Sequence, residues 1–428
     1  MLQASKAAAA AGRSGESDQL LARVSQLAPA HPAVLNELGV RMLQRGDAER
    51  ARALFVRATQ ADSGHPALWS NLASSLRQLR QPDAELEALE KALLIEPRHL
   101  ASLLQKGTLQ EELGYTRNAA RIYRNALATL PRGEQSLPAV EEALKHAKEA
   151  IRRDDNALAA AIEDHLVTIR GKHKGADLRR AQKCVDLLTG KRSRFPPEPT
   201  FMLFPEIPAV EFFDRAEFPW LDHIEAATED IRAELTNVLV TDRAGLEPYI
   251  AYPHGVPLDQ WRDLNKSRRW SAYFLWNQSV PQMPHVARCP RTVETLKFAP
   301  QCEVGARAPT AYFSILDAAT KIPPHTGVTN TRVIVHLPLI VPRDCGFRVG
   351  NETREFVPGK AWVFDDTIEH EAWNDSDTPR AILIFDIWNP FLSEVEREVV
   401  RAAMEVVGAY YGSETLGLTV KASGAAPD

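Results

Sequence analysis

The segments that begin at His31, His65 and His99 repeat with a spacing of 34 residues both times. HPAVLNELGVRMLQRGDAERARALFVRATQADSG is followed by HPALWSNLASSLRQLRQPDAELEALEKALLIEPR and HLASLLQKGTLQEELGYTRNAARIYRNALATLPR. A fixed period of this length dictates a stack of like units. Residue class agrees at equivalent positions: Leu35, Trp69 and Leu103; Gly39, Ala73 and Gly107; Phe55, Leu89 and Tyr123; Ala58, Ala92 and Ala126. Small residues recur where the two helices of a unit touch, and large ones where neighbouring units interlock. One helix pair cannot bury its apolar stripe alone, so stacking stabilises it. Pro97 and Pro131 close the last two units, and Pro29 closes a degenerate earlier one. The expected order is a helical cap over 1–30 and three repeats over 31–132.

This pattern resembles the tetratricopeptide repeat. The resemblance implies a concave groove that takes a peptide or protein partner. Dimerisation or plain stabilisation of a second domain is the alternative. The histidines that open the units read as turn positions. Residues 133–194 stay helical, because PAVEEALKHAKEAI and ADLRRAQKCVDLLTGK carry apolar residues at three- and four-residue steps. They read as a connector.

The chain has 428 residues, enough for two or three domains at roughly 150 residues each. FPPEPTFMLFPEIP, over 195–208, holds five prolines. Proline fixes φ and removes amide donors, so the helical region ends there. Seven of the eight tryptophans lie beyond residue 195. FPWLDHIEAATEDIRAEL (218–235) reads as one amphipathic helix. RWSAYFLWNQ, AYFSILD, NTRVIVHLPLIVP, GFRVGN, TREFVPGKAWVFDD and AILIFDIWNP read as short strands separated by turn residues, the signature of a sandwich or barrel. SEVEREVVRAAMEVVGAYYG opens with Ser393 and Glu396 at capping-box spacing and reads as a closing helix. The expected fold class is α + β: a helical solenoid, then a β domain over 195–412 and a flexible tail over 413–428.

A net charge of −5 gives no electrostatic footprint for nucleic acid and no polybasic anchor for lipid. No stretch approaches the ~20 apolar residues of a membrane span. The opening MLQASKAAAAAGRSGES is weak for a signal peptide. Four cysteines without CxxC spacing suggest neither a disulfide scaffold nor a zinc knuckle, and a cytoplasmic location is expected.

Three polar residues stand out in the β region. His325 sits in KIPPHTGVTN, a turn sequence, and His370 in FDDTIEHEAWN after a strand. Arg380 follows His370 by ten residues and opens the apolar strand AILIFDIW. Imidazoles at strand mouths are natural ligands for a first-row metal. A cation that opens an apolar strand needs an anion. Many non-haem iron oxygenases carry HxD, a distal His and an Arg or Lys about ten residues on. Here the triplet is His325-Thr326-Gly327, and Gly327 offers no carboxylate. Asp365, Asp366, Glu369 and Glu371 crowd His370. They read as turn formers or acceptors for imidazole N–H, with replacement of the third ligand by one of them as the rival.

HTGVTNTRVIVHLPLIVP and FDDTIEHEAWNDSDTPRAILIFDIWNP, with FPEIPAVEFFDRAEFPW and WSAYFLW, resemble the aspartyl/asparaginyl β-hydroxylase family. The resemblance runs from about Phe195 to Gly412. It implies a double-stranded β-helix with the HxG variant, and tetratricopeptide-like helices also precede the catalytic domain in animal members. It further implies Fe(II) on His325 and His370, and 2-oxoglutarate held by Ser314, His336 and Arg380 with Trp270 lining the pocket. Arg332 matches the first of two arginines that face the acidic substrate. Ile334 stands where the second would be, which puts an Asp or Asn preference in question. Strand alternation sets Arg332, Ile334 and His336 on one face. One position of a disulfide found in lumenal members corresponds to Val293.

The implied activity is hydroxylation by Fe(II), 2-oxoglutarate and O2 at the β-carbon of an Asp or Asn residue, with succinate and CO2 as co-products. The repeats would deliver the peptide or protein. The alternatives are a hydroxylase of a small or carrier-bound substrate such as an amino acid, natural-product intermediate or acyl chain, an iron halogenase that uses the open position, and a non-catalytic repeat scaffold.

Overall fold

The computed structural model describes residues 1–130, 138–305 and 307–411. The chain divides into two compact units, Met1–Lys191 and Arg192–Asp428. Pro131, expected to close the third repeat, and the expected tail at 413–428 lie outside the described residues.

In the first unit, α1 (Leu2–Ala10) and α2 (Ser14–Leu27) form the cap. The buried hydroxyls of Ser5 and Ser17 each donate to the other's backbone carbonyl, at 2.8 and 2.6 Å. The three repeats are the helix pairs α3 (Pro32–Gln44) with α4 (Ala48–Ala61), α5 (Pro66–Gln78) with α6 (Pro82–Ile95), and α7 (Leu100–Glu112) with α8 (Thr116–Leu127). Proline at the first helical position of α3, α5 and α6 costs nothing there, because that N–H has no intrahelical acceptor. The turns inside the pairs need a left-handed residue. Gly46 (φ 81°) and Gly114 (φ 82°) supply it in the outer repeats, and Arg80 (φ 56°) adopts it in the middle one.

Volume is matched inside each pair. A β-carbon on Gly39 would overlap the Phe55 ring, and one on Gly107 would overlap Tyr123. The middle repeat sets Ala73 and Leu89 at the same two positions, and both are fully buried in one cluster. Glycine inside a helix costs about 0.5–1 kcal/mol against alanine, so its presence at 39 and 107 follows from the ring opposite. The last repeat is covered by α9 (Pro138–Lys172), whose Leu144, Ala147 and Ala150 pack with Ile122, Tyr123 and Ala126. Arg124 adds ion pairs to Asp154 (2.9 Å) and Asp155 (2.5 Å). α10 (Arg179–Leu188) ends the unit's helices.

In the second unit, the expected single helix over 218–235 is two: α11 (Leu221–Ala226) and α12 (Thr228–Thr241). The chain breaks at Ala227, where the Thr228 hydroxyl turns back to the Glu225 carbonyl at 2.6 Å. The strands are β1 (Glu247–Pro248), β2 (Trp270–Asn277), β3 (Val280–Pro281), β4 (Ala311–Leu316), β5 (Thr320–His325), β6 (Arg332–Ile340), β7 (Cys345–Val349), β8 (Glu352–Glu355), β9 (Trp362–Phe364), β10 (His370–Asn374) and β11 (Arg380–Trp388). Two short helices, α13 (Met283–Arg288) and α14 (Pro290–Leu296), lie between β3 and β4, and α15 (Glu394–Tyr411) closes the unit. The capping box at α15 forms: Ser393 N donates to Glu396 Oε2 at 2.7 Å, and Glu396 N donates to Ser393 Oγ at 3.4 Å.

All strand pairs are antiparallel. One sheet runs β1-β2-β4-β11-β6-β9 and the other β5-β10-β7-β8. From β4 onward the chain crosses between the two sheets and back, which is the winding of a double-stranded β-helix. The larger sheet is buried on both faces. Phe313, Ile315, Val333, Val335, Leu383 and Phe385 pack on α11, α12 and α14. Tyr312, Leu316, Ile382 and Ile384 point the other way, toward Phe347, Val349 and Ala372 of the smaller sheet.

Gly107→Val, which forces bulk into the Tyr123 ring, is expected to cost the helical unit about 1–3 kcal/mol in urea-induced unfolding. Leu89→Phe should also destabilise it. Adding Ala73→Gly to that variant should recover the loss to within the roughly 0.5–1 kcal/mol that a helical glycine costs.

Candidate active site

His325 ends β5 and His370 opens β10, and the two are direct cross-strand partners. Sequence reading put His325 in a turn because two prolines precede it. Instead β5 is an edge strand, where Pro323 and Pro324 need no ladder donors. The two imidazole centroids are 4.1 Å apart. Each ring donates from Nδ1 to the carbonyl two residues earlier, His325 to Pro323 at 2.8 Å and His370 to Ile368 at 3.0 Å. This fixes the tautomer and leaves both Nε2 lone pairs open, as a metal ligand requires. Burial holds both rings below their ordinary pKa, His325 at about 4, so both are neutral near pH 7. Trp261 packs edge-on against His325 at 5.0 Å, and Phe364 against His370 at 5.6 Å.

The acids around His370 sort by contact. Asp365 Oδ1 accepts from the Thr367 backbone (2.9 Å) and hydroxyl (2.6 Å), a turn-forming role. Glu369 and Glu371 both pair with Arg348. None of the four accepts an imidazole N–H, because backbone carbonyls do so. Asp366 alone lines the cavity. A β-carbon on Gly327 would overlap its carboxylate, so Asp366 occupies the space into which a side chain at 327 would project. Its Oδ1 is buried without a partner, and burial pushes its pKa up to about 7 against the pull of Arg332. Among the described residues, no third His, Cys, Asp or Glu joins the two histidines in a metal-holding group.

The cavity between the sheets measures about 380 Å³. At one end lies Arg380, 1% exposed, with Nε unpartnered. The Phe356 ring covers it at 5.0 Å. Burial lowers its pKa to about 10, so it stays charged at neutral pH. Ser314 is fully buried on the neighbouring strand β4, and its Oγ accepts from Trp270 Nε1 at 3.1 Å, which leaves the hydroxyl proton free for a ligand. Nδ1 of His336 on β6 is also buried without a partner. Burial, and then the charge of Arg380, hold that imidazole neutral. A buried cation, a hydroxyl and an imidazole, each with an open hydrogen-bonding atom, form a cradle for a carboxylate.

Arg332, Ile334 and His336 all line this cavity. Arg332 does not stand free there. Its Nη1 pairs with Asp386, a β11 residue 1% exposed. Burial alone would lower the Arg332 pKa, but Asp386 and then Asp366 hold it above its ordinary value. Sequence reading missed Asp386, although a carboxylate inside AILIFDIW is the same signal that exposed Arg380. It also missed Tyr249 and Tyr312, hydrogen-bonded and stacked at 5.3 Å in the wall, and Val400 and Met404 of α15.

Two neutral imidazoles with open Nε2 atoms and a carboxylate cradle thus share one cavity between the two sheets. Residues 225–390, all within the second unit, match the model of the family described as aspartyl/asparaginyl beta-hydroxylase. The human aspartyl/asparaginyl beta-hydroxylase is 35% identical over 149 residues, which are 35% of this chain and 20% of that protein. The ornithine lipid ester-linked acyl 2-hydroxylase of Rhizobium tropici is 33% identical over 42% of this chain and 61% of its own length. The match thus spans less than two thirds of either relative. Among solved structures, the Arabidopsis OM64 TPR domain is similar over 28% of this chain and 94% of its own, at 21% identity and a TM-score of 0.25.

Replacing Arg380 by Met removes an unpaired buried charge. The ligand-free protein is expected to gain roughly 1–3 kcal/mol in thermal or urea unfolding, the opposite of an ordinary core substitution.

Proposed function

We propose that this chain is an Fe(II)- and 2-oxoglutarate-dependent oxygenase that hydroxylates a C–H bond. One observation carries the reading: Arg380, charged and buried without an anion, stands in the same cavity as two imidazoles whose metal-binding nitrogens are free. An unpaired buried guanidinium is costly, and the distal carboxylate of a small diacid removes that cost. His325 and His370 would hold the metal through Nε2. Arg380, Ser314 and His336 would grip the distal carboxylate, and Trp270 orients Ser314 through its indole N–H. When bound, Fe(II) with 2-oxoglutarate and dioxygen supplies the oxidant that inserts one oxygen atom into C–H, giving succinate and CO2 as co-products. The aromatic wall around the imidazoles excludes water from the reacting centre.

The family description supports the β-carbon of an Asp or Asn residue as the site of attack. The repeats support a peptide or protein as its carrier, since a weak groove and a weak pocket on one chain add through effective concentration. A second reading, an acyl chain as substrate, has the name of the Rhizobium tropici relative and the apolar side chain of Ile334 in its favour.

The test is succinate formation by the full chain with Fe(II), ascorbate, 2-oxoglutarate and O2, followed by NMR. His325→Ala and His370→Ala are expected to lose it and to lose Mn(II) binding in calorimetry. Arg380→Met should raise the 2-oxoglutarate requirement roughly 100-fold, the scale of two lost charge-assisted hydrogen bonds. Turnover that survives both histidine substitutions would sink the reading.

A further inference from the structure

Resting on the oxygenase reading above, we infer that Arg307 anchors an acidic group of the peptide substrate, a carboxylate carried not by the residue under attack but by the chain that flanks it. Three arginines line the cavity among the described residues. Arg380 is left for the diacid, and Arg332 pairs with Asp386. Arg307 has no such partner: its Nη2 is buried without a hydrogen bond. Burial lowers its pKa, and no acid's charge opposes that shift, neither Asp366 nor Asp386 among them. An arginine keeps its proton at neutral pH even so, which leaves one uncompensated positive charge in the wall.

The register fixes where this charge stands. Trp270 of β2 pairs with Leu316 of β4, which pairs with Arg380, so this row marks the cradle end. From Trp270 the eight residues of β2 run to Asn277. Their seven steps of about 3.3 Å cover roughly 20 Å. Before Ala311 at the far end of β4, Thr310 N donates to Asp386 at 3.2 Å and Pro309 O accepts from Ser279 N at 2.9 Å. Ala308 exchanges both backbone hydrogen bonds with Val304. Arg307 is therefore held at the end opposite the cradle. The carboxamides of Asn277 and Gln278 line the cavity at that same end. Because β4 and β6 flank β11, Arg307 and Arg332 approach from opposite sides of it.

Depth decides which part of a substrate Arg307 meets. The attacked carbon must lie against the imidazoles, and His370 is only 7% exposed. In aspartate or asparagine the carboxyl or amide carbon is bonded directly to that carbon, so it stays at the same depth. Arg307, Asn277 and Gln278 are half-buried and form the rim. A peptide that reaches the imidazoles with one side chain lays its neighbouring residues across this rim. A carboxylate there pairs with the guanidinium, and the two carboxamides offer it further donors. A neutral flank leaves the buried nitrogen of Arg307 unpaired, and a cationic flank is repelled.

The experiment offers the full chain, with Fe(II), ascorbate, 2-oxoglutarate and O2, amidated peptide libraries whose central residue is an equal mixture of Asp and Asn. The flanks are otherwise randomised among small neutral residues and carry Glu in one library, Gln in a second and Lys in a third. A fourth, with Gln flanks and a free C-terminal carboxylate, separates a chain end from a side chain as the source of the anion. Mass spectrometry reads the added oxygen, and anaerobic binding with Mn(II) in place of Fe(II) reads affinity without turnover. The Glu library, or the free-ended one where the anion is a chain end, should exceed the Gln library roughly five-fold or more in both readouts. Arg307→Gln should bring them level. Arg307→Glu should turn the preference toward Lys, a gain that misfolding cannot produce. Three results overturn the inference: equal use of charged and neutral flanks, an acidic preference that survives Arg307→Gln, or an Arg307→Gln effect confined to peptides with a central Asp. The last would put the attacked residue's own carboxylate on Arg307. Peptide-free 2-oxoglutarate decarboxylation that depends on His370 is measured alongside. If it proceeds and no library reacts or binds, the inference about Arg307 falls while the oxygenase reading stands. If it is absent, the oxygenase reading falls first and takes the inference with it.

Discussion

A guanidinium sealed inside a β-structure without a counter-ion is the constraint around which the second unit is organised. Arg380 cannot reach water, and no carboxylate answers it among the described residues, so the surrounding strands must give it a cradle that a ligand completes. Ser314 and His336 sit on the two strands that flank β11, which is why the cradle is made at the centre of the larger sheet and not at an edge. Phe356 closes it from β8's end, and the neutral state of His336 follows from the same buried charge. Stability is given up at this one place, and helices α11, α12 and α14 on the outer face of the sheet supply the packing that compensates.

Much of this was legible in the residues. A period of 34 leaves little freedom, and the three helix pairs fall where it set them. The strand runs were found because β-branched and aromatic residues were bounded by turn residues. Arg380 betrayed itself as a charge at the head of an apolar run. The strand alternation of Arg332, Ile334 and His336 holds as well, since all three face one cavity.

The rest was hidden for identifiable reasons. The break at Ala227 leaves the amphipathic period almost unchanged, so two helices read as one. The strand KIPPH looked like a turn because proline is punished in a ladder, but an edge position removes the penalty. The partners of the imidazoles were invisible because they are main-chain carbonyls, which any sequence provides. The four acids near His370 could not be ranked, because their separation depends on Arg348 drawing Glu369 and Glu371 away and leaving Asp366 facing the cavity. Asp386 shows a simpler lesson: the rule applied to Arg380 applied six residues later as well.

The matched volumes inside the helical repeats have a bearing on how such a chain diverges. Glycine faces an aromatic ring in the outer units, and alanine faces leucine in the middle one. Because both partners of each pair lie within the same unit, a whole unit can be duplicated or exchanged by recombination with its fit intact, whereas drift at either site alone is penalised. Lineages should therefore exchange these two positions jointly, and the 34-residue module, not the single codon, becomes the currency of change.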